Sequence, residues 1–566
     1  MDRFTSRLAA LIVCASAAHG QNLSNDTTKQ IDQIFSTWNK ADSPGCALGV
    51  YLGGRVAYKR GYGMANLNDD VPITPSTVFH VASMSKQFTA ASILLLEQQG
   101  KLSLDDEVHK YIPELPYFGQ KITLGHLLHH TSGIRDQWAL LDLSGWRYSQ
   151  DLITQEDVMS VVARQRQLNF NPGEKMLYSN TGYTLLALIV ARVSGVSLRE
   201  FTTAHIFNPL GMKHTHFRDD HEEVIKHDAL GYERAGKGKP YRMNLTNFDT
   251  VGATSLHTTV EDLQLWDENF YHPAVGGPSF VQHMLARGKL NSGEDQDYAS
   301  GLIIGTYKGL PTVDHNGGDA GYRADMTRFP DQHASIAVLC NSADTDPGGL
   351  VRQVADVVLR NYLKEPQPSI PKPQGKSTAH RPSKEQMAMM AGDYWAKDDD
   401  YFLKVQINGE QLQLVFGNQE THELLEVAPS HFHVADVPWS DNLDIHFVPA
   451  AEGRPRIIEQ RFNGGKPGIW EAVLPFEPSE AELALYGGTY QSPELEPVYR
   501  MTLKDGFLQL DRLKHNLERL RPVTKDVFLG DIGTVRFNRG PDEKITGFTL
   551  DAGRVQGLLF NKIKTE

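Results

Sequence analysis

The 566-residue sequence predicts a multidomain α+β protein, in which an antiparallel sheet flanked by helices precedes two small antiparallel β-barrels. Three observations carry that prediction. Strand-like segments stand at both ends of residues 21–364, with helical segments between them. A stretch rich in Pro, Lys and Ser follows at residues 365–386. Beyond it the helical signal vanishes, and one strand-and-turn pattern occurs twice, over residues 387–477 and 478–566.

A chain of this length exceeds what one hydrophobic core serves, so about two to four domains are expected. With 40% hydrophobic and 22% charged residues and a mean hydropathy of −0.38, the composition is that of a globular protein. A net charge of −13 lacks the basic face that phosphate neutralisation demands, so no nucleic-acid partner is expected. Past the N-terminus no segment is long and apolar enough for a membrane span. Nothing in the composition bears on the oligomeric state.

The elements follow in order. "MDRFTSRLAALIVCASAAHGQN" places Arg3 and Arg7 before an apolar run from Leu8 to Ala18 and then small residues. It reads as a signal peptide over residues 1–20, cut after Gly20, which implies a periplasmic or secreted protein. "CALGVYLGGRVAYKRGYGMAN" reads as a hairpin turning at Gly53-Gly54. After "TPSTVFHVA" comes a helical run in which Met84, Phe88, Ala91 and Leu95 share a face and Gly100 follows as a C-cap. "YSNTGYTLLALIVARVSG" is a second helix, opened by a polar cap and closed by Gly195. "GYRADMTRFPD" and "HASIAVLCN" are further strands. Two strands early and several late give one sheet built from both chain ends, in an α+β or mixed α/β layout.

Residues 365–386 read as a semi-rigid interdomain linker. Of the two repeated segments, "GDYWAKDDDYFLKVQINGEQLQLVF" starts at Gly392 and "GGTYQSPELEPVYRMTLKDGFLQLDR" at Gly487. Each runs through two tyrosines to a turn pair, Asn408-Gly409 or Asp505-Gly506, and a short strand. Two barrels are expected, with a two-sheet sandwich as the alternative.

The chemistry concentrates in three places. In "VASMSKQFTA", Ser83 and Lys86 stand three apart at a helix start, so the amine can reach the hydroxyl. A lysine serves as base to a serine only where burial or neighbouring charge lowers its pKa. The spacing alone is weak evidence, since "SIPK" repeats it at Ser369 to Lys372 in the proline-rich stretch. In "LYSNTGY", Tyr178 offers a phenol for proton transfer, and Asn180 offers an amide to hold Lys86 or a substrate; the plainer reading makes Asn180 a helix cap. In "VDHNGGDAGYRADMTRFP", His315 can donate a hydrogen bond to substrate or tyrosine. Gly317 and Gly318 there allow close backbone approach, and the Gly318 N–H is a candidate second oxyanion donor. Taken singly, that stretch is better read as a glycine-rich turn with an incidental histidine.

The three elements, in this order, resemble the β-lactamase and penicillin-binding-protein superfamily, in its class C β-lactamase-like branch. "ITLGHLLHHTSGI" and "NPLGMKHTHF" also look like that branch, so the resemblance covers most of residues 30–360. It implies a β-lactamase/transpeptidase-like catalytic domain, with Ser83 as nucleophile, Lys86 and Tyr178 as the base pair, Asn180 in support and His315 in the third motif. Where β-lactamases carry Lys-Thr-Gly, this chain has His315-Asn316-Gly317, which resembles the D-aminopeptidases of the superfamily. Those also carry two C-terminal (lipocalin-like) barrels. The resemblance thus implies a serine hydrolase acting on a small-molecule or peptide substrate and needing no cofactor. A carboxylesterase is the alternative; a true β-lactamase, a DD-carboxypeptidase or a non-catalytic sensor fits less well. Without the third-motif lysine, substrates lacking a free carboxylate are expected to be favoured.

Other features are weighed against this. There is no G-x-S-x-G elbow. His126, His129 and His130 have metal-like spacing, but "HHTSG" matches a turn of the family, so no metal is expected. Trp138 and Trp146 serve either the cleft or the core. Cleavage of the signal leaves Cys46 and Cys340, which the family layout places side by side; two buried thiols are expected, because cross-strand geometry suits disulfides poorly. By resemblance to the D-aminopeptidases, a barrel loop is expected to rim the active site, with the acidic breaks "AKDDDY" (396–401) and "SPELEP" (492–497) as candidates.

Overall fold

The computed structural model of the chain describes residues 23–236, 238–364, 382–396, 401–416, 420–434, 443–451, 454–462, 467–474 and 476–564. The expected signal peptide, and the expected linker up to residue 381, lie outside these.

Six antiparallel strands form the central sheet: β1 (Cys46–Leu52), β2 (Arg55–Tyr62), β3 (Ile303–Tyr307), β4 (Leu310–Asp319), β5 (Tyr322–Phe329) and β6 (Ala334–Cys340), in the order β3-β4-β5-β6-β1-β2. Pairing of β1 with β6 joins the two ends of the domain. Gly53 and Gly54 turn the β1–β2 hairpin at φ 54° and 74°, the left-handed pair a tight two-residue turn requires. Successive side chains of β1 point to opposite faces. Leu48 and Val50 pack with Ile31 of α1 (Asn25–Ile34) and with Leu350 and Val354 of the helix Pro347–Val358. Ala47 and Tyr51 face the helical layer on the other side. Both faces are covered, which is why this strand is apolar along its length.

That helical layer contains α2 (Lys86–Gln98), α3 (Leu124–Leu128), α4 (Gln137–Leu143) and α5 (Asn180–Ser194). Every residue of α2 from Lys86 to Leu96 is buried, and α2 packs on α5. Gly195 ends α5 at φ 81°, a left-handed cap.

Two closed eight-stranded barrels follow. The first runs from Gly392–Ala396 to Gly468–Val473, which pair to close it; the second runs from Gly488–Gln491 to Val555–Ile563, closed in the same way. Closure removes the open edges a sandwich would keep, so the sandwich alternative falls. The repeat is physical as well as sequential. A capping box, Ser383 with Gln386 and Ser479 with Glu482, starts a short helix before each barrel. Tyr394 then donates to the Met390 carbonyl, and Tyr490 to that of Tyr486. Asp505-Gly506 forms its two-residue turn as expected, whereas the corresponding turn of the first barrel closes at Asn408–Gln411 and holds Gly409-Glu410.

The barrels relate differently to the α+β domain. Residues of the second, among them Leu483, Tyr499 and Phe560, belong to the same apolar cluster as α2 and α5. Tyr499 also donates to the Leu143 carbonyl at 2.8 Å. The first barrel encloses a cluster of its own.

One expectation is corrected here. Cys46 and Cys340 are joined in a disulfide between β1 and β6. They face each other in register, and the backbone bond from Asn341 N–H to the Gly45 carbonyl belongs to the neighbouring pair. The cysteines therefore hold a position without ladder hydrogen bonds, where facing Cα atoms come closest. Register parity overrides the general unsuitability of cross-strand pairs.

Candidate active site

Ser83 lies in a single 3₁₀ turn, Ala82–Ser85, and Lys86 is the first residue of α2. Ala82 adopts φ 48°, a strained conformation for a residue with a side chain, immediately before the serine. Lys86 is fully buried, and its Nζ donates to Ser83 Oγ at 3.0 Å, Asn180 Oδ1 at 2.9 Å and the Ala253 carbonyl at 2.6 Å. Burial brings its pKa down to about 7; Asp136 opposes the shift, and Arg554 of the second barrel adds to it. A neutral amine satisfies Asn180 and Ala253 with its two hydrogens and turns its lone pair to the serine hydroxyl.

Asn180 opens α5, and its orientation is fixed from outside the motif. Its backbone N–H and its side-chain amide both donate to Asp136 Oδ2, leaving Oδ1 for Lys86. Asp136 in turn caps α4 through Oδ1, which accepts from Trp138 and Ala139. Tyr178 packs against His130 with the rings tilted by 34° and their centroids 4.2 Å apart. Lys86 Nζ lies 4.9 Å from the centre of the Tyr178 ring. Burial pushes the phenol pKa up, against the nearby Ser83 hydroxyl and the Arg554 guanidinium.

His315, on β4, has both ring nitrogens engaged. Nδ1 meets the Asn316 carbonyl at 2.6 Å, so it carries the hydrogen, and Nε2 accepts from the Tyr298 hydroxyl at 3.0 Å. Burial and Lys86 hold its pKa down at about 4, so the ring is neutral near pH 7. The expected donor is therefore an acceptor from Tyr298, a residue the motifs did not reveal. Gly317 packs on the serine turn: a Cβ there would lie 2.2 Å from the Val81 carbonyl oxygen and 3.1 Å from Ser83 N. Gly318 lines the cleft with Ser83. The Asp319–Tyr322 closing pair of the β4–β5 hairpin turns the Gly318 N–H away from β5, on the edge where β3 has ended at Ile303–Asp314.

Ser83, Tyr178, Asn180, His315 and Gly318 line one cleft of about 880 Å³, with Trp138, Tyr148 and Tyr298 among its aromatic walls. Trp146 packs instead against the core. His126 accepts from the Thr123 N–H to cap α3, and His130 supports Tyr178.

The second barrel completes the rim. The turn between its last two strands, Ile545–Ala552 and Val555–Ile563, brings Arg554 into the cleft wall, with its guanidinium 4.8 Å from the Tyr178 ring centre. The "SPELEP" segment has another task. Glu494 is buried against Arg135 at 2.6 Å and also accepts from Arg166 N–H, so this segment docks the barrel and is not an exposed acidic rim. Residues 397–400 of "AKDDDY" lie outside the described residues.

Residues 29–359 match the family described as Beta-lactamase. The chain is 30% identical to Penicillin-binding protein 4* of Bacillus subtilis (strain 168) over 350 residues, 58% of this chain and 76% of that protein. It is similar in structure to the octameric penicillin-binding protein homologue from Pyrococcus abyssi, with a TM-score of 0.55 and 24% identity, over 79% of this chain and 100% of that one. It is also similar to D-amino acid amidase from Ochrobactrum anthropi SV3, with a TM-score of 0.51 and 23% identity, over 59% of this chain and 99% of that one. At these identities both structural likenesses are of fold.

Proposed function

The chain belongs to the beta-lactamase family and is a serine hydrolase, and from that premise we propose that it cleaves amide bonds of D-amino-acid derivatives or short peptides through an acyl-enzyme on Ser83, as a D-aminopeptidase does. Neutral Lys86 takes the Ser83 proton as Oγ attacks the carbonyl carbon. The N–H groups of Ser83 and Gly318 receive the oxyanion. The C–N bond breaks as the proton passes through the Tyr178 hydroxyl to the leaving amine. Water then loses a proton to the same pair and attacks the acyl carbon. The bond to Oγ breaks, Oγ regains a proton, and the acid departs.

The observation that carries this reading is the fully buried Lys86 amine, 3.0 Å from Ser83 Oγ, with a pKa near 7. The His-Asn-Gly third motif and the two barrels favour the D-aminopeptidase type, and a D-amino acid amidase shares the fold. The disulfide suits an oxidising compartment, in keeping with export through residues 1–20. The test is labelling with a fluorophosphonate, peptide mapping of the adduct, and a panel of D-amino-acid amides, L-amino-acid amides, aryl esters and cephalosporins. Label on Ser83 with fastest turnover of D-amides supports the reading. Fastest turnover of cephalosporins or aryl esters overturns it.

A further inference from the structure

We propose that Arg554 of the second barrel binds the free carboxylate of the substrate's leaving residue, which makes the preferred substrate a short peptide with a free C-terminal acid. The inference rests on the amide-hydrolysing reading above and reverses the expectation that a third motif without lysine disfavours carboxylates.

The loop bearing Arg554 is held by its main chain. The Arg554 carbonyl accepts from Asp136 N–H and from the Asn169 side chain, at 3.2 and 2.9 Å. Gln556 N–H donates to Asn169 Oδ1, and the Gln556 carbonyl accepts from Arg135. None of these bonds uses the guanidinium, which lies 3.9 Å from Asp136 on a side chain that is 46% exposed. The pair with Asp136 is a long one without a hydrogen bond, because both carboxylate oxygens already accept two hydrogen bonds each, from Asn180 and from the start of α4. A fixed main chain thus presents a guanidinium at the cleft wall with its fork of hydrogen-bond donors unspent, a chemistry that matches a carboxylate.

Its place identifies which carboxylate. The leaving nitrogen must approach the Tyr178 hydroxyl to receive its proton, so whatever is attached to that nitrogen runs along the ring beside which Arg554 lies. In an α-amino acid leaving group the carboxylate stands one carbon from the nitrogen. The other cleft arginine, Arg323, already donates to the Ala320 and Tyr322 carbonyls and has Asp319 nearby.

The test uses two compounds with the same scissile bond, D-alanyl-glycine and D-alanyl-glycinamide, on the full-length wild type and the R554A, R554K and R323A variants. The ratio of kcat/KM for acid over amide is expected to exceed one in the wild type, to fall at least tenfold in R554A, and to recover in part in R554K. Raising the salt concentration should shrink the ratio in the wild type, R323A and R554K, and leave that of R554A unchanged. Protection of Ser83 from the fluorophosphonate by each compound reads the same ratio without turnover. An equal loss on both compounds in R554A, or a fall of the ratio in R323A in its place, overturns the carboxylate site while leaving the hydrolase reading intact. Failure of Ser83 to label in the wild type overturns both.

Discussion

One oxygen of Asp136 accepts both the backbone N–H and the side-chain amide of Asn180, at 2.7 and 2.8 Å. This decides which way the Asn180 amide points, and so gives Lys86 an acceptor in place of a competing donor. Asp136→Ala is expected to lower kcat about 10- to 100-fold and to cost about 1–2 kcal/mol through the lost cap of α4. A purely structural role would not move the pH profile. Asp136 raises the Lys86 pKa, so its removal should carry the acid limb of kcat/KM below pH 7.

Ser83→Ala is expected to abolish acylation, and Lys86→Ala and Tyr178→Phe each to lower turnover by about two to four orders of magnitude. Intact-mass analysis after labelling checks the first, and steady-state kinetics the others. Covalent label on another serine in the Ser83→Ala protein contradicts the assignment.

Arg135 and Glu494 have side-chain exposures of 0% and 4%, whereas the neighbouring pair Arg164–Glu496 stands at 42% and 70%. Breaking the buried pair strands a charge, so Glu494→Ala should destabilise the docked state by about 3–5 kcal/mol. Glu496→Ala should cost less than about 1 kcal/mol. The difference is read from the denaturant midpoint of the transition that releases the second barrel. Since Arg135 also holds the Gln556 carbonyl, Glu494→Ala should raise KM as well.

The disulfide closes a loop of 294 residues between two strands that also share a ladder. The unreduced protein should be lighter by two hydrogens than its reduced form. Cys46→Ala with Cys340→Ala is expected to lower stability by about 2–5 kcal/mol without changing kcat. Equal masses before and after reduction contradict the bond.

What the sequence made legible was whatever chemistry imposes locally. Ser83 and Lys86 must stand one helical turn apart, Tyr178 and Asn180 flank one helix start, and glycines must sit where the Val81 carbonyl allows no Cβ, as at Gly317. The barrels showed through their turn residues and repeated tyrosines. What stayed hidden depends on contacts between distant segments. Asp136 acts 44 residues from Asn180, Tyr298 occupies His315 from another strand's approach, and Arg554 reaches Tyr178 from another domain. "SPELEP" looked like a solvated acidic break because sequence does not reveal that Arg135 is buried opposite Glu494. The disulfide turned on register parity, which no residue pattern near either cysteine encodes.

The neutral Lys86 base is tested most directly by the pH dependence of Ser83 acylation with an uncharged aryl ester or fluorophosphonate. Lys86 is held below its ordinary value by burial, with Arg554 adding to the shift and Asp136 and Asp319 opposing it. His315 and His130, whose pKa values burial keeps low, stay neutral across the range. A depressed amine is the active base once deprotonated, so the rate should climb about tenfold per pH unit on the acid side and level off above about pH 7. A rate that keeps rising toward about pH 10, the ordinary lysine range, would contradict the account.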